Sequence, residues 1–277
     1  EVKNILKYWV LSEKQEFHVI PTDTINIHID KDALLRSGIM LPKTIRHLKG
    51  EDLKDAIPDK LYIPLTDIRM LTKVDLLMLE MLANCNWERP LYLAISVGSV
   101  SKLKFDNYFV QEGLAFRFTP FDYKKWGDVG ENRLYAVDVE RLYDNVMNRY
   151  KYGGLDTPGL YLDETTLRTC WYHRRLFAQL AKELIAQGDN ERAKKVLAYA
   201  EQVIPGYNVP ETHESGSYDI ATAYAALGEK TKAVTLAVHL IAEAEDYINW
   251  AFSLKGNRIE MVRNDCIYKF WQWNQYN

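Results

Sequence analysis

The sequence predicts an α+β protein: a mixed α/β domain over residues 1–157, then an all-α region of helical hairpins over residues 158–277. Three observations predict it. Short runs with apolar residues at every second position lie before residue 140, as half-buried strands require. After Pro158 the Gly, Pro and β-branched runs thin out while Ala and Leu rise. Within that second half a segment repeats itself. The size and composition agree: 277 residues, 47% hydrophobic and 26% charged, suit one large or two ordinary folded domains.

Residues 1–12 place Val2, Ile5, Leu6, Trp9 and Val10 on one face and predict a short amphipathic helix. Residues 24–29 alternate strictly through Ile25, Ile27 and Ile29 and predict a strand. Asp30 then caps a short helix that Gly38 ends. Residues 43–59 are polar and irregular and read as an insertion or a loop, and 61–63 as a second short strand. Thr72 starts a helix with Asp75 at the capping-box position and Val74, Leu77, Met78, Met81 and Leu82 as its apolar stripe. That helix stops in Asn84-Cys85-Asn86. Residues 91–97 are continuously apolar apart from Ser96 and predict a strand buried on both faces. Residues 113–121 alternate through Leu114, Phe116 and Phe118, a further strand. Residues 134–139 predict a strand leading into a helix over 140–152, which Gly153-Gly154 end. The domain boundary is placed within 153–158.

The repeat aligns Gly188-Asp189-Asn190-Glu191-Arg192-Ala193 with Gly228-Glu229-Lys230-Thr231-Lys232-Ala233. Seven residues before each Gly stands an Ala, Ala181 and Ala221, and Ala200 and Pro205 complete the first copy. This resembles the tetratricopeptide pattern. Small residues at 181 and 193 let two helices approach closely, Gly188 turns the chain, and Pro205 ends the second helix. The second copy departs at Ala237, where a large residue is usual, and at Glu245, where Pro is usual. The copies are 40 residues apart instead of 34, which lengthens the link over 206–215. A helix over 167–175 leads into the first hairpin. Residues 258–273, with Ile259, Val262, Cys266, Phe270 and Trp273 at helical spacing, would cap the far end. Two readings stand. One is a concave groove for a peptide or partner, using Arg175, Lys182 and Tyr218. The other, favoured by so few repeats, is a helical buttress.

The net charge of −3 provides no basic surface for nucleic acid and no acidic tail for a basic partner. No run approaches the ~20 apolar residues of a membrane span. No signal peptide is visible, and the opening Glu1-Val2-Lys3 without Met is read as a segment cut from something longer. Cys85, Cys170 and Cys266 are odd in number and widely spaced, so buried free thiols are expected. Cys170 and His173 share a helical face, but a zinc site needs about four ligands and none lies nearby in sequence. Asp30-Lys31-Asp32 reads as helix capping, not as a metal and sugar-nucleotide motif. The glycines at 127, 130, 153 and 154 read as turns. Among Phe270, Trp271, Trp273 and Tyr276, core packing with a frayed end outweighs contact with a membrane interface. No catalytic residue, metal site or cofactor site is expected from these constellations.

Several segments together resemble one family. Asn86-Trp87-Glu88-Arg89-Pro90-Leu91-Tyr92-Leu93-Ala94 resembles N-W-x-R-P-[IL]-Y-F-A. Gln111-Glu112-Gly113-Leu114-Ala115-Phe116-Arg117 resembles x-E-G-L-A-Y-R-L-x-P, with Pro120 in place. Tyr143-Asp144-Asn145-Val146-Met147-Asn148 through Gly153-Gly154 resembles M-Y-D-N-x-M-x-K-[FY]-x-[WY]-G-G, with Leu142 at the Met position, and Tyr161-Leu162-Asp163-Glu164 follows. These are similar to the C-terminal soluble part of a family of multi-spanning membrane proteins common in Bacteroidetes. That family, long a domain of unknown function, is related to GT-C, protein O-mannosyltransferase-like glycosyltransferases. The resemblance covers almost the whole chain. It implies a periplasmic tail attached to the inner membrane, non-catalytic by itself, with its own membrane-embedded portion and an acceptor polypeptide or partner protein as partners. In such enzymes the lipid-phosphate donor and catalytic acid belong to the membrane portion. Two readings of the motif residues follow. Arg89 and Arg117 beside strands, with Asp144 and Asn145 on a helix, could form a buried polar network that joins elements, because buried charges are usually paired. The sharper alternative is a sugar- or ligand-binding cleft at the strand ends built from Arg89, Glu112, Arg117, Asp144 and Asn145.

Overall fold

Alternating isoleucines build the first sheet. Ile25 and Ile27 of β1 (Thr24–His28) face inward and pair with Ile63 and Leu61 of the antiparallel β2 (Lys60–Pro64). The computed structural model describes residues 23–66, 68, 70–97, 103, 105–130 and 135–276; the helix expected over 1–12 lies outside them. Chain contacts divide the protein into two compact units, residues 1–138 and 139–277.

Between β1 and β2 run two short helices. Asp30 caps α1 (Lys31–Arg36) by accepting from the Ala33 amide at 2.9 Å, as the capping reading required. The stretch read as loop contains α2 (Gly50–Ala56). Its inner side carries only Leu53, Ala56 and, at its end, Ile57, too few for a clear periodic signal. In α3 (Lys73–Asn84) the capping box is complete. Thr72 N–H donates to Asp75 Oδ2 at 2.7 Å, and Asp75 N–H donates to Thr72 Oγ1 at 3.3 Å. The buried stripe is Asp75, Leu76, Leu79 and Leu82, which corrects the expected one. Val74, Leu77 and Met81 are exposed. The inward face is the leucine stripe at 76, 79 and 82, with the capping acid Asp75 buried beside it.

The second sheet has the order β3-β5-β4-β6. β5 (Ala115–Phe118) pairs antiparallel with β3 (Tyr92–Ala94) on one side and with β4 (Phe109–Gln111) on the other. β6 (Ala136–Val137) pairs parallel with β4. The apolar run 91–97 is therefore a three-residue edge strand with Tyr92 half exposed, not a strand covered on both faces. β4, unmarked by alternation, takes an inner place. The core between the sheets gathers Trp87, Phe105 and Phe118, with Phe105 and Phe118 edge-to-face at 5.2 Å.

Asn86 and Trp87 both have positive φ, 48° and 59°. For a bulky residue this is a strained conformation. Trp87 is held there by burial and by its indole N–H donating to His28 O at 2.9 Å.

The second unit begins with α4 (Val139–Asp144), which runs into a π turn over Asn145–Arg149. Residues 139–157 thus group by contacts with the second unit, and the reason is local. Glu140 takes two 2.8 Å hydrogen bonds from Arg192, and Tyr152 packs on Phe177 and Tyr199. This segment belongs with the helices that follow.

Those helices form two hairpins. α5 (Glu164–Ala186) packs on α6 (Asn190–Val203), and α7 (Ser217–Ala226) packs on α8 (Lys230–Ser253). Ala181 and Ala193 have no exposed surface, and Ala221 and Ala233 are buried likewise. The two turns are built alike. Gly188 and Gly228 are left-handed (φ 80° and 78°), and the next residue donates to the carbonyl five positions back at 2.9 Å in each. Where the second copy lacks its proline, α8 continues through Glu245 to Ser253.

Gly216, before α7, has φ 84°, and a Cβ there would lie 2.7 Å from Arg175 Cγ. Gly216→Ala is expected to cost more than about 1 kcal/mol by denaturant unfolding, combining left-handed strain with displacement of Arg175.

The terminal segment is two helices, α9 (Arg258–Met261) and α10 (Arg263–Tyr276). α10 buries Cys266, Lys269 and Gln272 and exposes Phe270, a further correction. Carboxylates opposite explain the inversion. Lys269 Nζ lies 2.9 Å from Glu243 and 3.3 Å from Glu214, and Gln272 donates to Glu214 at 3.1 Å. Trp273 and Tyr276 turn inward, with Trp273 donating to Glu245 at 3.0 Å, whereas Trp271 turns outward.

Candidate functional site

In the first unit β5 carries Arg117 into the interior, where it is 3% exposed. Its guanidinium donates to Ser37 O at 2.9 Å, Ser37 Oγ at 2.8 Å and Gly38 O at 3.3 Å. Glu112, buried at the β4–β5 turn, lies 3.6 Å from Arg117 and accepts from the Tyr92 hydroxyl at 2.8 Å. The two motif charges thus tie the second sheet to the end of α1. Arg89 is exposed and borders, with Arg117 and Cys85, a cavity of about 10 Å³. That volume suits one water molecule. Asp144 and Asn145 belong to the second unit. Asp144 is 40% exposed and engages Asn148 at 3.0 Å and Arg149 at 2.6 Å, which hold its carboxyl below the usual carboxylate range, Asn148 foremost. Asn145 opens the π turn, and Tyr150 N–H donates to its carbonyl at 2.8 Å. A larger cleft in the first unit, about 220 Å³, lies elsewhere. It is lined by Tyr62, Tyr108, Asn107, Asp122 and Lys125 among others.

In the second unit Arg175, Lys182 and Tyr218 lie where α5 faces the start of α7. Lys182 pairs with Asp219, and Arg175 stacks over Tyr172 at 4.9 Å and crosses Gly216. Tyr218 stacks on His213 at 5.8 Å. None of these three lines the unit's main cavity.

That cavity, about 400 Å³, is a groove between α6 and α8 with α7 as its floor. Its apolar surface comes from Leu197, Ile204, Ile220 and Leu236. At one end Glu201 accepts from Tyr224 at 2.5 Å and from Lys232 at 2.9 Å, and Lys232 Nζ sits 4.9 Å from the Tyr224 ring centre. Burial, with the Glu201 carboxylate second, pushes the Tyr224 phenol well above its usual range. The other end is closed by the link, where Glu211 folds over Gly206. Arg174 fixes that link. Its guanidinium donates to Ile204 O (3.0 Å), Val209 O (2.6 Å), Pro210 O (2.8 Å) and Ser215 Oγ (3.1 Å). The groove residues were not singled out from the sequence. The signal that could have found them was the 40-residue spacing, because a longer link leaves room between the second helices of successive hairpins.

Cys170 is buried, and burial pushes its thiol up. His173 lies between Tyr150 and Tyr152, with Nδ1 buried and without a hydrogen-bond partner. Desolvation lowers its pKa below 6.5 and also lowers that of His213. His213 faces Tyr218, Tyr268, Trp271 and Tyr276, and the charges of Glu214, Asp219, Glu243 and Lys269. A depressed folded pKa gives stability that is full above 6.5 and lost as pH falls below it. Unfolding free energy should therefore fall as pH drops below 6.5, by at most about 1.4 kcal/mol per pH unit for each histidine. His173→Phe should flatten this slope in urea titrations. An unchanged slope in that variant would remove His173 from the account.

A protein-family model, TMEM260-associated domain 2, matches residues 2–140. Neither a curated protein nor a solved structure matches the chain.

Proposed function

Because the chain belongs to the TMEM260-associated domain 2 family, we propose that it is a non-catalytic accessory domain of a TMEM260-like, glycosyltransferase-like membrane protein. In this reading it lies on the extracytoplasmic, periplasmic face, attached to its own membrane-embedded portion. Its tetratricopeptide-like second unit holds a polypeptide, either the acceptor or a partner protein. The observation that carries the reading is the groove of about 400 Å³ between α6 and α8, of a size usual for ligand sites. Arg117 and Glu112, by contrast, are engaged in packing contacts. The test is deletion of residues 139–277 from the full-length protein. Modification of the acceptor should fall while the amount of membrane-inserted protein holds. A fall in protein amount with unchanged specific activity would replace this reading with a purely structural tail.

A second reading places sugar or ligand binding in the α/β unit. It is favoured by the cleft of about 220 Å³, which offers Tyr62, Tyr108, Asn107, Asp122 and Lys125 to a hydroxylated ligand. Saturable binding of a mannose-type glycan to the isolated chain, abolished by Asn107→Ala, would support it.

A further inference from the structure

We infer that the groove between α6 and α8 takes a lysine or arginine side chain of a polypeptide, with the apolar stem on Ile204, Ile220 and Leu236 and the cationic head on Glu211. The inference rests on the polypeptide-binding reading and names the chemistry of that site. Four charged groups line the groove, and three are already engaged. Glu201 and Lys232 hold each other at 2.9 Å. The four terminal-nitrogen hydrogen bonds of Arg174 go to three carbonyls and a hydroxyl. The remaining group is the Glu211 carboxylate. Among the described residues no hydrogen bond or ion pair reaches it. It lies over Gly206, whose lack of a side chain leaves that space; a Cβ there would meet Glu211 Cδ at 3.2 Å and Oε1 at 3.3 Å.

An acceptor beside an apolar wall suits an amphipathic cation, because long basic side chains bury their methylene stems while the head finds a carboxylate. Arg174 makes no ion pair with Glu211, although the two charges attract each other through space. A cation in direct contact with the carboxylate therefore gains more than Arg174 repels. The peptide's own carbonyls can accept from Lys232, which sits at the opposite end of the groove. A groove of about 400 Å³ has room for such a side chain and a neighbour.

The test uses the whole chain with methyl-labelled Ile and Leu, titrated with Ac-Leu-Lys-Leu-NH2 and Ac-Leu-Glu-Leu-NH2. The lysine peptide should shift the methyls of Ile204, Ile220 and Leu236 saturably, and bind about ten- to a hundredfold more tightly than the glutamate peptide. Glu211→Gln should abolish that preference and leave the remaining spectrum native. Equal responses to both peptides, or a preference untouched by Glu211→Gln, would overturn the inference while leaving polypeptide binding in place. No shift in residues 190–240 with either peptide would overturn both.

Discussion

Arg174→Met is expected to destabilise the helical unit by about 3–5 kcal/mol. The loss is not that of a salt bridge, since the guanidinium donates to neutral oxygens. Four hydrogen bonds disappear at once, and the carbonyls of Ile204, Val209 and Pro210 lose their buried donor. Each buried unsatisfied group costs about 1–3 kcal/mol, and partial relaxation of the link keeps the total below the sum. Burial lowers the Arg174 pKa to about 10, so it is a cation at neutral pH despite that burial. Arg174→Lys should rescue little, because an ammonium has no planar fork to span carbonyls on both sides of the link. Hydrogen exchange at residues 204–216, read alongside denaturant unfolding, checks both variants. An Arg174→Met protein within about 1 kcal/mol of the parent would show that the link holds itself.

Arg117→Met should be comparably severe, about 3–5 kcal/mol, for a different reason. Here a buried carboxylate, Glu112, is stripped of its cation. The double variant Arg117→Met, Glu112→Gln should recover most of the loss, since removing both charges removes the desolvation problem. Asp144→Ala should change stability by no more than about 1 kcal/mol, because its contacts are largely in solvent. Denaturant curves on the four proteins decide between packing and a ligand site for these motif residues. A folded, stable Arg117→Met protein would reopen the ligand cleft.

Arg117 was visible in the sequence although its role was not, and Arg174 was not singled out at all. Arg117 stood out because it belongs to a motif in a strand. That its partners would be Ser37 and Gly38, about eighty positions away, depends on strand order and not on any local pattern. Asp75 and Asp30 were readable because a cap is a contact over three residues. The stripe of α3 was misread. Apolar residues stand at most positions of this helix, so periodicity alone could not choose between the stripe at 74, 77, 78 and 81 and the buried one at 76, 79 and 82. In α10 the reason differs, since Lys269 is buried by Glu243 and Glu214 from distant segments. The hairpins were the most legible part, because Gly and Ala act through backbone geometry and close approach, both local. The groove escaped notice because it is created by the length of the link rather than by its residue types.

The groove also has an uncommon mechanical property. Two ion pairs bridge its walls, Lys194–Glu229 at 3.7 Å and Lys232–Glu201 at 2.9 Å, and all four side chains are close to half exposed. Such pairs are worth about 0–1 kcal/mol each, comparable with thermal energy, and at 1 M salt the screening length shrinks to about 3 Å. The apolar floor does not weaken under those conditions. Ionic strength therefore acts on these two pairs without acting on the apolar base of the groove.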